Sequence, residues 1–144
     1  MGDGSAEGAA HPMNTFPFLD KVTRMLQLAL GERLAPGVAD YLDLFHEDAV
    51  FEFPSAPGGV HLKGKARMAA YLRTVEGGIT FDSFTLKAVY PVVGGETVVL
   101  EYDSVGHDSP SGKLHLQSYV AVVRLVGGRL SLIREYVIPR EGPS

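Results

Sequence analysis

Apolar residues recur at helical spacing over the first part of the chain, where Phe18, Val22, Met25, Leu26 and Leu28 to Leu30 fall near one face. Asn14 or Thr15 is available as N-cap and Gly31 as a stop, so this pattern predicts a first helix from Asn14 to Leu30. Pro36 at a first-turn position opens a second, shorter helix with Val38, Tyr41, Leu42 and Phe45 as its stripe. The period then changes to two. In Asp48 to Pro54, Ala49, Phe51 and Phe53 share one face of a short strand that the proline ends. A loop from Ser55 to Leu62 follows, holding Pro57, Gly58 and Gly59. Lys63 to about Glu76 is helical again on Met68, Ala69, Tyr71, Leu72 and Val75, with Gly77-Gly78 closing it.

Everything beyond reads as strand. Ile79 to Val93, Glu96 to His107, Lys113 to Val126 and Arg129 to Pro139 are separated by Gly94-Gly95, Ser109-Pro110-Ser111-Gly112 and Gly127-Gly128, which suit hairpin turns. Three helices, one early strand and a four-strand antiparallel meander make an α+β plan. Strands of about 11 to 15 residues oblige such a sheet to twist and curl, and helices across its mouth make a cone.

Composition narrows the function. A length of 144 residues fits one domain, expected over residues 14–140, with an aperiodic Gly-, Ala- and acid-rich lead at 1–13 expected to be disordered and a short tail at 141–144. Thirteen Lys+Arg against 17 Asp+Glu give a net charge of −4 and no basic stripe, which argues against nucleic acid as a partner. The absence of cysteine removes disulfides, thiolate nucleophiles and Cys-ligated metals. No apolar run reaches the roughly 20 residues of a membrane span, and the first residues carry acids where a signal peptide carries Lys or Arg, so a cytoplasmic protein off the membrane is expected. With 45% hydrophobic and 21% charged residues, part of the apolar surface is left for a pocket or a partner.

Three segments in order carry a family likeness: Tyr41-Leu-Asp-Leu-Phe-His-Glu-Asp-Ala-Val-Phe-Glu-Phe-Pro54, Gly64-Lys-Ala-Arg-Met-Ala-Ala-Tyr-Leu72 and Gly128-Arg-Leu-Ser-Leu-Ile-Arg-Glu-Tyr-Val-Ile-Pro139. Together they resemble the SnoaL-like branch of the NTF2-like superfamily, which includes ketosteroid isomerases, limonene epoxide hydrolases, polyketide cyclases and phenazine-biosynthesis proteins of PhzA/PhzB type. Glu101-Tyr102-Asp103, Ser111-Gly112-Lys113 and Arg134-Glu135-Tyr136 pull the likeness toward the SnoaL and PhzA/PhzB side. The resemblance implies a cone-shaped NTF2-like barrel, a homodimer through the outer face of the sheet and no cofactor. It also exposes what is missing. Where ketosteroid isomerases carry a general-base Asp, an oxyanion Asp and a helix-one Tyr, this chain has Phe53, Ala121 and Met25. Where limonene epoxide hydrolases carry an Arg, its acidic partner and a last-strand acid, it has Tyr102, Ser104 and Glu135.

Glu135 is thus the leading candidate for chemistry. Ile133, Glu135 and Val137 share one strand face, which the resemblance turns into the cone opposite Phe51 and Phe53. A carboxyl so placed is desolvated, and its pKa rises toward values useful for acid–base work. The alternative is plain strand alternation with Glu135 at a solvated rim. On the next strand back, His115, Gln117, Tyr119 and Ala121 share one face and Leu114, Leu116, Ser118, Val120 and Val122 the other. Either set suits the interior. If the first set faces in, Tyr119 is an oxyanion donor with His115 or Gln117 orienting a carbonyl or water, and the leucine–valine face becomes the dimer seam. Tyr102 is a second phenol donor, or an aromatic packed on a helix. His61, in the Gly-Pro loop, is a candidate partner for Glu135 at the mouth. No His-x-x-x-His, Glu-x-x-His or Gly-x-Ser-x-Gly pattern occurs, so neither a metal site nor a serine nucleophile is expected.

These residues support two functions. One is a cofactor-independent acid–base enzyme of cyclase, isomerase or dehydratase type acting on a hydrophobic, carbonyl-bearing small molecule. The other is a non-catalytic module that binds a small ligand or serves as a partner subunit.

Overall fold

The computed structural model describes residues 17–75 and 78–140. The expected lead, the Asn14 or Thr15 cap, Gly77 and the tail lie outside them. Helix α1 spans Pro17–Leu30 and buries Leu19, Met25, Leu26, Ala29 and Leu30. Gly31, at φ 50°, ends it as expected and leads into a 3-10 turn over Gly31–Arg33. Helix α2 spans Lys65–Val75. The strands are β1 (Phe45–Phe53), β2 (Val60–Lys63), β3 (Ile79–Pro91), β4 (Thr97–Asp108), β5 (Leu114–Val126) and β6 (Arg129–Arg140). They form one curved sheet in the order β2-β1-β6-β5-β4-β3, with α1 packed on β3 and α2 on β1.

Four expectations need correcting. The helix from Pro36 does not form. Gly37 adopts φ 88°, outside the helical region, and between Pro36 and Phe45 the chain forms a single 3-10 turn over Tyr41–Leu44. Asp40 and Asp43 hold that turn by a reciprocal capping box in which each carboxylate accepts the other's backbone N–H at 3.1 Å. Phe45 therefore opens β1 instead of closing a helix, and the described residues contain two α-helices. Second, the loop expected to Leu62 turns at Gly58-Gly59 and then pairs Val60–Lys63 with β1. Third, the sheet is mixed, because β1 runs parallel to β6. Fourth, the sheet does not close into a barrel, since β2 and β3 remain edges.

The core lies on the concave face, where alternation along β4 buries Val98, Leu100, Tyr102 and Ser104 and along β5 Tyr119, Ala121 and Val123. Between the two faces of β5 left open by the sequence, the His115–Gln117–Tyr119–Ala121 set is therefore the inner one. Phe45, Phe51, Leu44 and Leu130, all fully buried, close the end of the core beside β1.

Candidate functional site

Strand register assembles the site from side chains far apart in sequence. Leu100, Ala121 and Glu135 form one cross-strand row over β4, β5 and β6, and Tyr102, Tyr119 and Val137 form the next. Beyond them Ser104 sits opposite Gln117. Above this floor lies a cavity of about 560 Å³, walled by α1, α2, the Tyr41 turn and the start of β3. Its size falls among small-molecule sites, roughly 300–1,000 Å³.

The rows are tied by hydrogen bonds. Tyr102 donates to Oε2 of Glu135. Ser104 Oγ lies 2.8 Å from the Tyr119 hydroxyl, which donates to Gln117 Oε1 at 2.7 Å, so the serine is the donor to the phenol. The rings of Tyr102 and Tyr119 stack with centroids 4.8 Å apart. On the opposite wall Phe53 stacks on Tyr71 at 5.4 Å.

Burial raises the Glu135 pKa, and the hydrogen bond from Tyr102, which favours the ionised form, opposes it in part. The phenols of Tyr41, Tyr71, Tyr102 and Tyr119 are all pushed up, first by burial and also by the Glu135 charge, so each stays a hydrogen-bond donor through neutral pH. Tyr41 makes no side-chain hydrogen bond within the described residues, and Oε1 of Glu135 likewise has no partner there. Because no buried side-chain polar atom among the described residues lacks a partner, both atoms are accessible, and both residues line the cavity. Arg134, next to Glu135 in sequence, projects from the other face and binds Glu52 at 2.6 Å.

Glu135, Tyr102, Tyr119, Phe53, Gln117 and Val137 line the cavity together. Phe51, Ala121 and Ile133 share their faces but are packed beneath the lining, at most 2% exposed. Two histidines lie elsewhere. His61 sits opposite Glu52 in the β1–β2 register, and Glu52 points away from the cavity because Phe51 and Phe53 point in; the imidazole Nδ1 pairs with that carboxylate at 2.9 Å. His115 stands one alternation beyond Gln117, where its Nε2 meets Asp108 across the hairpin at 2.6 Å. Neither is among the described residues that line the cavity. The sequence reading missed Tyr41 and Tyr71, placed on helical stripes as packing residues, and Phe81 and Phe84 on β3. Among the described residues no group of three His, Cys, Asp or Glu would hold a metal ion, and no helix is long and apolar enough to cross a membrane.

Comparison with known proteins agrees with this architecture. The uncharacterized protein YesE of Bacillus subtilis (strain 168) is 33% identical over 129 residues, covering 88% of this chain and 86% of its own. An uncharacterized PhzA/B-like protein of Pseudomonas aeruginosa, PA3332, is 30% identical over 101 residues, covering 69% and 71%. A Bacillus subtilis protein of known crystal structure, provisionally described as an isomerase, is 29% identical with a TM-score of 0.64, over 85% of this chain and 88% of that one. Solved NTF2-like proteins share the fold. The SnoaL-like domain model matches residues 22–133, from the middle of α1 into β6, and the chain belongs to the SnoaL-like domain family.

Proposed function

We propose that the chain is a cofactor-independent acid–base enzyme, of isomerase, cyclase or dehydratase type, acting on a hydrophobic carbonyl-bearing small molecule. The observation that carries this reading is Glu135: one half-buried carboxyl in an apolar cavity, oriented by Tyr102, with its second oxygen open to the ligand. A raised pKa suits a group that must take and return a proton near neutral pH. The carboxylate removes a proton from carbon next to the carbonyl, and the electron pair moves onto the carbonyl oxygen. The Tyr41 hydroxyl, without a hydrogen-bond partner among the described residues, donates to that oxygen, and the stacked Tyr102 and Tyr119 rings support the substrate plane. Glu135 then returns its proton to another carbon or to a leaving hydroxyl.

Deuterium uptake at the methyl carbon of 2-acetylnaphthalene in D2O tests this. Wild type accelerates exchange and Glu135→Gln, which keeps the volume, loses about 10²- to 10⁴-fold. Exchange unchanged in the variant contradicts the mechanism. A second reading, a non-catalytic binding module, is favoured by Phe53, Ala121 and Met25 standing where ketosteroid isomerases have their catalytic groups. Tight binding of the ketone with no exchange above background selects it.

The outer sheet face supports a homodimer. Leu114, Tyr136 and Ile138 are exposed there, beside the partly covered Leu116, Val120 and Val122.

A further inference from the structure

The charge inventory of the cavity narrows its ligand. Among the described residues eight of the twenty that line it are aromatic, Glu135 alone is charged, and none is Lys, Arg or His. The nearest cation in sequence, Arg134, is held on the opposite face by Glu52. One oxygen of Glu135 is satisfied by Tyr102, and the other has no donor in the described protein although it opens into the cavity.

These facts rank ligands by charge. An anion entering this chamber meets a carboxylate and the negative faces of aromatic rings with no basic group to offset them. A neutral molecule leaves the open oxygen of Glu135 without a strong donor. A protonated amine supplies the missing N–H and the missing positive charge, while its carbon substituents rest on ring faces that attract cations. We infer that the physiological ligand is a hydrophobic amine, bound as the ammonium with its N–H on Oε1 of Glu135. This rests on the reading of the cavity as the ligand site; because the ammonium takes the Glu135 oxygen that would act as base, the amine is a bound ligand, as in the second reading above, and not the substrate of the proton transfer. The other titratable groups facing Glu135 are phenols: Tyr41 from the 3-10 turn, Tyr71 from α2, Tyr102 from β4 and Tyr119 from β5. Burial raises all four, so none offers a competing negative charge near neutral pH.

A matched set of probes tests the inference through naphthalene fluorescence: N,N-dimethyl-1-naphthylmethylamine as cation, 1-naphthylmethanol as neutral and 1-naphthylacetate as anion. At pH 7 the amine binds wild type about tenfold or more tighter than the alcohol, and the anion binds weakest. In Glu135→Gln the amine and the alcohol become about equal. A readout on wild type alone guards against a misfolded variant: amine affinity rises with pH as Glu135 ionises, while alcohol affinity stays flat. An alcohol that equals or exceeds the amine in wild type overturns the charge inference and leaves the proposed acid–base function standing. Failure of all three probes to bind overturns the ligand-site reading itself, and this inference with it.

Discussion

Tyr102 reaches Glu135 across two strand spacings, roughly 10 Å, with Ala121 on the strand between them. Ala121 offers only a methyl group on that face, so the phenol passes over it, and stacking on Tyr119 fixes the ring. The open oxygen of the acid is therefore oriented by packed core residues and not by a loop.

Tyr102→Phe keeps the ring and removes the donor. Losing one buried hydrogen bond destabilises the fold by about 1–3 kcal/mol in urea unfolding. Because the bond favours the ionised carboxyl, Glu135 titrates at still higher pH in the variant. Carboxyl-carbon NMR reads this directly, and an unmoved titration contradicts the coupling.

Stability should respond to pH with opposite signs at two glutamates. The Glu135 pKa is higher folded than unfolded, so the folded state holds the extra proton. Its contribution is complete below the ordinary carboxylate range and is lost as pH rises through the folded value. Glu52 is held below its ordinary value, first by the Arg134 hydrogen bond and then by His61, so its contribution is present above the carboxylate range and lost in acid. Unfolding followed from pH 3 to 9 shows Glu135→Gln flattening the neutral limb and Glu52→Gln the acid limb; the reverse assignment contradicts both.

Gly127 and Gly128 turn the chain from β5 to β6 at φ 60° and 84°. A Cβ on Gly127 meets nothing within 4 Å, whereas one on Gly128 falls 2.7 Å from the Ala35 backbone nitrogen, which donates to the Gly128 carbonyl. Gly127→Ala costs about 1–2 kcal/mol for the left-handed backbone alone. Gly128→Ala costs clearly more, because the Ala35 backbone must also move. Equal melting temperatures for the two variants contradict this ranking.

The proposed dimer has twice the 15.5 kDa mass of the chain in sedimentation velocity. Val120→Glu puts a charge in the proposed seam and yields a folded monomer. A wild-type monomer at micromolar concentration contradicts it.

Alternation along β6 from Ile133 to Val137 put Glu135 on one face with two apolar neighbours, and the family resemblance, which alternation alone could not replace, turned that face inward, where the carboxyl lines the cavity. On β3 the same rule fails. Phe81 and Phe84 are three apart and belong on opposite faces by alternation, but a register shift between Phe81 and Ser83 brings both to the cavity, rings 5.2 Å apart. Tyr41 was hidden for another reason. Its helix-like stripe describes packing correctly, but Gly37 and the Asp40–Asp43 box convert the segment to one short turn that aims the phenol at Glu135. His61 was misplaced because its pairing with β1 comes from the neighbouring strand, which local composition does not report.

The parallel contact of β1 with β6 governs when the site exists during synthesis. Glu52 and Arg134, which clamp that contact, are 82 residues apart, so a chain emerging from the ribosome has both helices and five strands before β6, the parallel partner of β1, is made. Closing so long a loop late makes assembly slow compared with the local hairpins β3–β4 and β4–β5. Glu135 arrives on the same strand that joins β1 to β5, so a nascent chain stopped before Arg129 lacks both the continuous floor of the chamber and the carboxyl that gives it chemistry.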